Sequence, residues 1–187
     1  MKFDYVIGNP PYQEVDGGSG ASATPVYNKF IEETKTLNPT AMSFIIPAKW
    51  YSGGKGLDKF REQMLNDKRM AVLVDYPNSL DVFPNVDVAG GVCYFVWAKS
   101  HEGKCYYINY RDGAKTSEYR DLNEFSTFIR YPIAAEIVKK VRLKGEQTLD
   151  TIVSSRKPFG LATNVKPLKA GDIQLRFNGG IGPYKRS

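Results

Sequence analysis

The 187-residue chain is poor in the side chains that bind metals or form disulfides. It has two cysteines, Cys93 and Cys105, and one histidine, His101. So few ligands predict neither a metal-binding cluster nor a disulfide framework, and a reducing cytoplasm is the expected location. The sequence also lacks an apolar run of about 18 residues or more, so no membrane span is predicted, and its first residues do not resemble a signal peptide.

The charge of the chain is unevenly distributed. The net charge is +6, but residues 1–129 hold 14 basic and 16 acidic side chains, whereas residues 130–187 hold 12 basic and 4 acidic ones. A neutral body followed by a basic segment indicates a polyanionic partner for that segment. A solvated basic surface without a partner is the alternative.

Hydrophobic periodicity predicts an α/β fold. Short apolar runs predict strands at 3–8 (buried), 41–46, 70–76, 91–99 and 104–111. Amphipathic spacing predicts helices that begin with Thr24 as the cap and Pro25 as the first residue, that cover 57–65, and that follow Pro132 up to Gly145. Strands that alternate with helices are typical of an open sheet, whose ligands bind at the carboxyl ends of its strands.

A rigid polar corner follows the first strand, in the stretch FDYVIGNPPYQ at residues 3–13. Pro10 and Pro11 fix two φ angles and provide no N–H donors, so the carbonyls of Asn9 and Pro10 and the Asn9 side chain can act as acceptors. Two acceptors suit an exocyclic amine, and Tyr12 offers a flat ring on which a planar base could stack. A strand-ending turn with a packed tyrosine is the alternative.

This corner resembles the catalytic G-N-P-P-Y motif of amino-group DNA methyltransferases, in particular the adenine-N6 enzymes. Three further stretches resemble later motifs of the family in the family's order: VYNKFIEE at 26–33, SFIIPAKW at 43–50 and LDVFPNVDVAGGVCYFVWAK at 80–99. The nearest resemblance is to restriction–modification methylases of the Eco57I and TaqI type. It implies the C-terminal half of a Rossmann-like class I methyltransferase sheet.

The resemblance implies a role for each residue of the motif. Asn9 and the Pro10 carbonyl would accept hydrogen bonds from the amine of a flipped adenine, and Tyr12 would stack on that base. Phe83 would pack on its other side, unless it is a buried loop aromatic. The methyl group would pass directly from S-adenosylmethionine to nitrogen, without a metal or a covalent enzyme intermediate.

The cofactor half of the resemblance is incomplete. Pro11 and Phe30 match positions that pack around the cofactor's adenine ring, although Phe30 could instead be a core residue of its helix. The family's glycine-rich cofactor loop and its ribose-binding acid should precede the N-P-P-Y strand, but only eight residues precede Asn9. We therefore expect a fragment, or a subunit that needs a partner, with weak cofactor binding and little activity by itself. Its first strand would then be an uncovered edge of the sheet.

The family's DNA-recognition region follows its catalytic domain. We accordingly predict a partial catalytic domain at 1–146 and the start of a target-recognition region at 147–187, with double-stranded DNA as the partner. The candidates for contacts with the DNA backbone are basic residues of this second region: Arg156, Lys157, Lys166, Lys169 and Arg176. A C-terminal extension packed on the body is the alternative.

Other functions stay open at this point. The N-P-P-Y motif also occurs in glutamine-N5 and RNA guanine-N2 methyltransferases, and a DNA-binding subunit without catalysis would fit the absent cofactor loop. Trp50 is expected to be structural. Asp75, at a strand end, is left without a role, and Lys49 and Lys55 are either phosphate contacts or solvated lysines.

Overall fold

The computed structural model describes residues 3–14, 24–54, 56–149 and 153, and two short strands near the C-terminus. The chain divides into two compact units, residues 1–138 and 139–187. The predicted division into a catalytic domain at 1–146 and a recognition region at 147–187 stays a prediction.

Six strands and two helices make up most of the first unit. The strands are β1 (Tyr5–Gly8), β2 (Ala41–Pro47), β3 (Met70–Tyr76), β4 (Val92–Ala98), β5 (Cys105–Arg111) and β6 (Ala114–Arg120). The helices are α1 (Tyr27–Thr36) and α2 (Asp58–Asn66), with 3₁₀ turns at Ala48–Tyr51 and Ser79–Asp81. A third helix, α3 (Pro132–Leu143), follows, and β7 (Gln174–Leu175) pairs with β8 (Tyr184–Lys185).

The six strands form one sheet in the order β1-β2-β4-β3-β5-β6. β1 and β2 are parallel, with α1 between them in sequence, and β3 and β5 are also parallel. β4 runs antiparallel to both of its neighbours, β2 and β3. The predicted α/β class is confirmed, and the arrangement is consistent with a partial Rossmann-like sheet. Because β1 and β2 are parallel, their carboxyl ends lie side by side, and Asn9 and Pro47 are therefore at the same end of the strands.

One hydrophobic cluster holds α1 and α2 to the sheet. α1 contributes Tyr27 and Ile31, and α2 contributes Phe60 and Met64, to the cluster that also contains alternate residues of the central strands. Those strand residues include Met42, Phe44, Ile46, Leu73, Phe95 and Trp97. The Phe44 ring explains a glycine of the motif, because a Cβ at Gly8 would lie 2.9 Å from Phe44 Cε1.

The prediction that the first strand is buried was wrong. β1 is an edge strand, and Val6 is the residue of it that packs against the core. Tyr5 is 71% exposed and Ile7 is 85% exposed. An apolar run alone does not distinguish a central strand from an edge strand, because the difference lies in what the neighbouring segments cover.

The predicted start of α1 was also wrong. The helix begins at Tyr27, and its N-cap position, Val26, has no side-chain cap. Thr24 and Pro25 instead run alongside the residues that follow the motif: Glu14 N donates to Thr24 O at 3.0 Å, and Gln13 and Pro25 form an isolated bridge. These long-range backbone bonds outweigh the local capping preference. The predicted stop after α3 fits the structure, since Gly145 has φ +67°.

Among the six strands of the main sheet, the sequence prediction missed one, β6. It forms a hairpin with β5, and the two residues between them, Asp112 and Gly113, both have positive φ (52° and 77°). An Asp-Gly pair that takes positive φ at both positions is a favoured two-residue hairpin turn. The signal was therefore present in the sequence, but the polar composition of β6 concealed the strand.

The carboxylate of Asp67 makes unfolding depend on pH. It accepts hydrogen bonds from Lys35 Nζ (2.9 Å), Arg69 Nε (2.7 Å) and Trp97 Nε1 (2.9 Å). Burial alone would raise its pKa, but these bonds outweigh burial and hold the pKa well below the ordinary value of 3.8. A depressed carboxylate pKa stabilises the folded state above the unfolded pKa, and this contribution is lost as pH falls through the folded pKa.

We therefore expect the free energy of unfolding to fall more steeply with decreasing pH in the unaltered chain than in an Asp67→Asn variant. Urea unfolding between about pH 6 and pH 3 measures the difference. Asp112→Asn is the control, because it removes an exposed carboxylate that pairs with Arg111 at 3.1 Å and should change the slope little. Equal slopes for the unaltered chain and Asp67→Asn would contradict the prediction.

Candidate active site

A cavity of about 680 Å³ opens at the carboxyl ends of β1 and β2. Three segments form its wall: the corner after β1 with the start of α1, the chain after β2, and the connection from β3 to β4. The lining residues are Asn9–Gln13, Pro25 and Tyr27, then Pro47, Lys49 and Leu57, then Phe83 and Val86–Ala89. The cavity therefore unites the predicted Asn9, Pro10, Pro11, Tyr12 and Phe83, which are up to 74 positions apart in the sequence.

The residues of the N-P-P-Y corner line this cavity on a backbone that two prolines restrict. Asn9 is exposed and Pro10 is buried. The corner is closed on its far side, where Val26 N donates to Tyr12 O at 3.2 Å. Burial, with a smaller contribution from the nearby Cys93 thiol, raises the pKa of the Tyr12 hydroxyl, so it stays protonated at neutral pH.

The connection from β3 to β4, residues 77–91, carries Phe83 and is named the wall segment here. A buried serine holds it in place. Ser79, 1% exposed, donates from Oγ to Val86 O (3.0 Å) and accepts from Val88 N (2.7 Å). Its carbonyl accepts from Phe83 N at 2.8 Å. Ser79 is thus bonded to Phe83 itself and to Val86 and Val88 further along the wall segment. The position of Phe83 therefore depends on Ser79.

Gly91 anchors the end of the same segment. Its φ is +81°, and a Cβ at this position would lie 2.1 Å from the carbonyl oxygen of Tyr76 and 2.6 Å from that of Pro77. Glycine is therefore required for this close approach. The Gly91 carbonyl accepts from Ala48 N at 3.0 Å, which joins the segment to the chain after β2.

Asp75, to which the sequence assigned no role, is a structural residue. It is fully buried at the end of β3, and Arg130 donates to it from Nε at 2.8 Å and from Nη2 at 2.5 Å. Asn109 Nδ2 donates to the same carboxylate at 2.8 Å, and the Tyr107 hydroxyl lies 3.1 Å away. Arg130 also donates from Nη1 to Gly90 O at 2.7 Å. The ion pair thus connects the core to the end of the wall segment.

Some sequence-predicted residues lie away from the cavity. Phe30 is 47% exposed on α1 and is not among the lining residues, so the alternative that made it a core residue was wrong. Trp50 is fully buried, which confirms its structural role. Lys49 lines the wall but stays exposed. Lys55 lies outside the described residues, as do all five basic candidates for DNA contacts, Arg156, Lys157, Lys166, Lys169 and Arg176.

Sequence reasoning missed the buried tyrosine of the wall. Tyr27 is 2% exposed, and its ring packs edge-on against Phe60 with centroids 5.9 Å apart. The residue stands in the stretch VYNKFIEE, but no role was predicted for it. It also missed the contribution of Pro25 and Val86–Ala89, which no local pattern marks as a site.

The described residues present no group of three or more histidine, cysteine or acidic side chains that could share a metal ion. Among the same residues, no helix is both long enough and apolar enough to cross a bilayer.

Part of the chain is similar in sequence to known methylases. Residues 1–83 match the family model of the Eco57I restriction-modification methylase. A curated relative, an uncharacterized adenine-specific methylase of Mycoplasma pneumoniae, is 35% identical over 107 residues, which are 56% of this chain and 25% of the relative. The resemblance to a restriction–modification adenine methylase is thus confirmed for the part of the chain that carries the N-P-P-Y corner.

Two solved structures are similar at low identity. The methyltransferase subunit of a type I restriction–modification system from Streptococcus thermophilus is 15% identical, with a TM-score of 0.42 over 79% of this chain and 33% of that one. A chain of another type I system is 15% identical, with a TM-score of 0.45 over 83% and 34%. The chain spans about a quarter of the length of the curated relative and about a third of each solved structure.

Proposed function

We propose that this chain forms part of a site-specific DNA adenine-N6 methyltransferase of a restriction–modification system. The observation that carries the proposal is the cavity that brings Asn9, Pro10, Tyr12 and Phe83 together. They lie within, or at the end of, the segment that matches the methylase family model.

In this proposal the chain's own residues hold and activate a flipped adenine. The Asn9 side-chain oxygen and the Pro10 carbonyl accept the two amine hydrogens, which draws the nitrogen lone pair out of conjugation with the ring. Tyr12 stacks on the base, and Phe83 packs on its other side. Each stacking contact is worth roughly 1–3 kcal/mol, which offsets much of the cost of unstacking the base.

The described residues fit S-adenosylmethionine only in part. Pro11 lies in the cavity wall, whereas Phe30 stands half exposed outside it. When bound, the cofactor supplies an electrophilic methyl group. We propose that Pro11 and Phe30 form one side of its adenine site and that another segment of the protein, or a partner subunit, forms the other.

β1 supports this need for a second component. It pairs with β2, and no further strand of the described sheet lies on its other side. Tyr5 and Ile7 alternate with Val6 along the strand, so they share its opposite face, and both are exposed. We propose that a segment or subunit carrying the cofactor loop pairs with this edge, and that double-stranded DNA binds the basic region at 147–187.

The test is methyl transfer by the full-length protein. Tritiated S-adenosylmethionine is incubated with duplex DNA of mixed sequence, and the DNA is digested to nucleosides. We expect label in N6-methyladenine. Label in N4-methylcytosine, or in protein or RNA supplied instead of DNA, would contradict the proposal and favour the other N-P-P-Y enzymes.

Calorimetry of the 187-residue chain separates catalysis from DNA binding alone. We expect S-adenosylmethionine binding by this chain to be weak and to be restored in the full-length protein. If the full-length protein binds DNA but neither binds nor consumes the cofactor, the non-catalytic alternative is correct.

A further inference from the structure

Lys49 brings a positive charge to the wall of the cavity. Among the lining residues, the charged side chains are those of Lys49 and Asp87, and both residues are exposed. They come from different segments of the chain, and neither forms an ion pair with another described residue. The ammonium group of Lys49 is therefore available to a ligand that carries negative charge.

The backbone from which this side chain projects is held in place. Lys49 lies in the 3₁₀ turn Ala48–Tyr51, whose other three residues are buried. A buried arginine, Arg61, donates from Nε to Trp50 O at 2.7 Å and from Nη2 to Gly53 O at 2.9 Å. Gly53 N in turn donates to Lys49 O at 3.2 Å. Lys49 is thus the residue of a fixed turn whose side chain meets solvent beside the cavity.

A flipped nucleotide would bring phosphates to this place. The base leaves the stack and enters the cavity, but the phosphates on either side of its sugar stay in the DNA backbone and remain at the cavity opening. Lysine binds phosphate as a point charge, and its flexible four-carbon stem lets the ammonium group reach outward from the wall. An exposed lysine on the wall is therefore placed to meet the backbone of the nucleotide whose base fills the cavity.

We infer that Lys49 contacts a phosphate next to the flipped adenine and so holds the target nucleotide over the N-P-P-Y corner. This inference rests on the proposed function, because it takes the ligand of the cavity to be a nucleotide of DNA. It adds a contact from the first unit of the chain to those proposed for the basic region at 147–187. The contact carries no base information, since every nucleotide has the same phosphate.

The test begins with Lys49→Gln in the full-length protein. The KM for DNA should rise roughly 10-fold, the lower end of the effect of losing a hydrogen bond to a charged group. Anisotropy of a fluorescein-labelled duplex gives the Kd for DNA, and the slope of log Kd against log salt concentration should become shallower by about 0.9, because one phosphate contact is lost. Since Lys49 is exposed, the melting temperature should change little.

Two further variants separate the contact from a change in net charge. Lys49→Arg keeps the positive charge and should retain most of the affinity for DNA. Lys59→Gln removes the same charge from an exposed position on α2 that does not line the cavity, and its KM for DNA and salt slope should match those of the unaltered protein. An equal rise in KM for Lys49→Gln and Lys59→Gln, or a Lys49→Arg variant as weak as Lys49→Gln, would overturn the inference.

Uncharged phosphate analogues identify the contact. The methylated adenine is first located by sequencing DNA that the unaltered protein has modified. Duplexes are then made with one neutral methylphosphonate, on the 5′ or on the 3′ side of that adenine. One of the two should raise the KM of the unaltered protein about as much as Lys49→Gln does, and the variant should lose nothing further on that duplex. Losses that add at both positions, or a rise confined to the KM for S-adenosylmethionine, would overturn the inference.

Failure of the proposed function has a different signature. If the unaltered full-length protein forms no N6-methyladenine, the proposed function fails and the inference fails with it. If the unaltered protein forms N6-methyladenine and Lys49→Gln matches it in KM for DNA and in salt slope, the inference alone fails.

Discussion

Asn9→Ala in the full-length protein should lower kcat/KM for methyl transfer by roughly 100- to 1,000-fold, the range seen when one preorganised polar group that meets the transition state is removed. Alanine eliminates the side-chain oxygen proposed to accept from the adenine amine and leaves only the Pro10 carbonyl. Asn9 is exposed in the cavity wall, so the melting temperature should change little. Tritiated methyl transfer and thermal unfolding measure the two effects.

Asn9→Asp is the graded companion to this variant. It keeps acceptor oxygens at the same place, so it should retain more activity than alanine. The order of activity should be asparagine, aspartate, alanine. Methyl transfer by Asn9→Ala equal to that of the unaltered protein would contradict the assignment of Asn9.

Asp75→Asn should cause the largest loss of stability among single charge removals in the described part of the chain. It leaves the Arg130 guanidinium, whose side chain is 20% exposed, without the fully buried carboxylate that it contacts through two nitrogens. Removing one partner of a buried ion pair typically costs about 3–5 kcal/mol. Urea unfolding of the variant measures the loss. Because Arg130 also donates to Gly90 O, the wall segment should become more susceptible to proteolysis.

Two further variants define the origin of that loss. Asp112→Asn removes the carboxylate of an exposed ion pair, in which the Arg111 side chain is 58% exposed and the Asp112 side chain is 85% exposed. This variant should lose no more than about 1 kcal/mol of stability. The double variant Asp75→Asn with Arg130→Met should lose less than the sum of its single variants, because the uncompensated cation is gone. A loss for Asp75→Asn as small as that for Asp112→Asn would show that the buried pair contributes little.

The local sequence predicted the bounds of most helices and strands, but it did not predict which other segments contact them. The strands β2 to β5 and the helix α2 lie within a few residues of their predicted ranges, because apolar spacing and the Pro and Gly residues that bound the elements report local backbone preference. The place of β1 at the sheet edge was expected from the missing cofactor loop, but the apolar run itself predicted a buried strand, and the late start of α1 was not predicted. Both depend on which distant segments pair with these residues.

The sequence by itself determined which chemical groups the corner after β1 carries. The residues G-N-P-P-Y after a strand are acceptors and an aromatic ring on a rigid backbone, and their types and order are properties of the chain alone. Only the tertiary structure decided which other residues join them. Phe83 reaches the cavity because Ser79 and Gly91 shape the connection from β3 to β4, and Tyr27 joins the same wall from the start of α1. Those facts depend on contacts between residues far apart in the chain, which spacing along the sequence does not record.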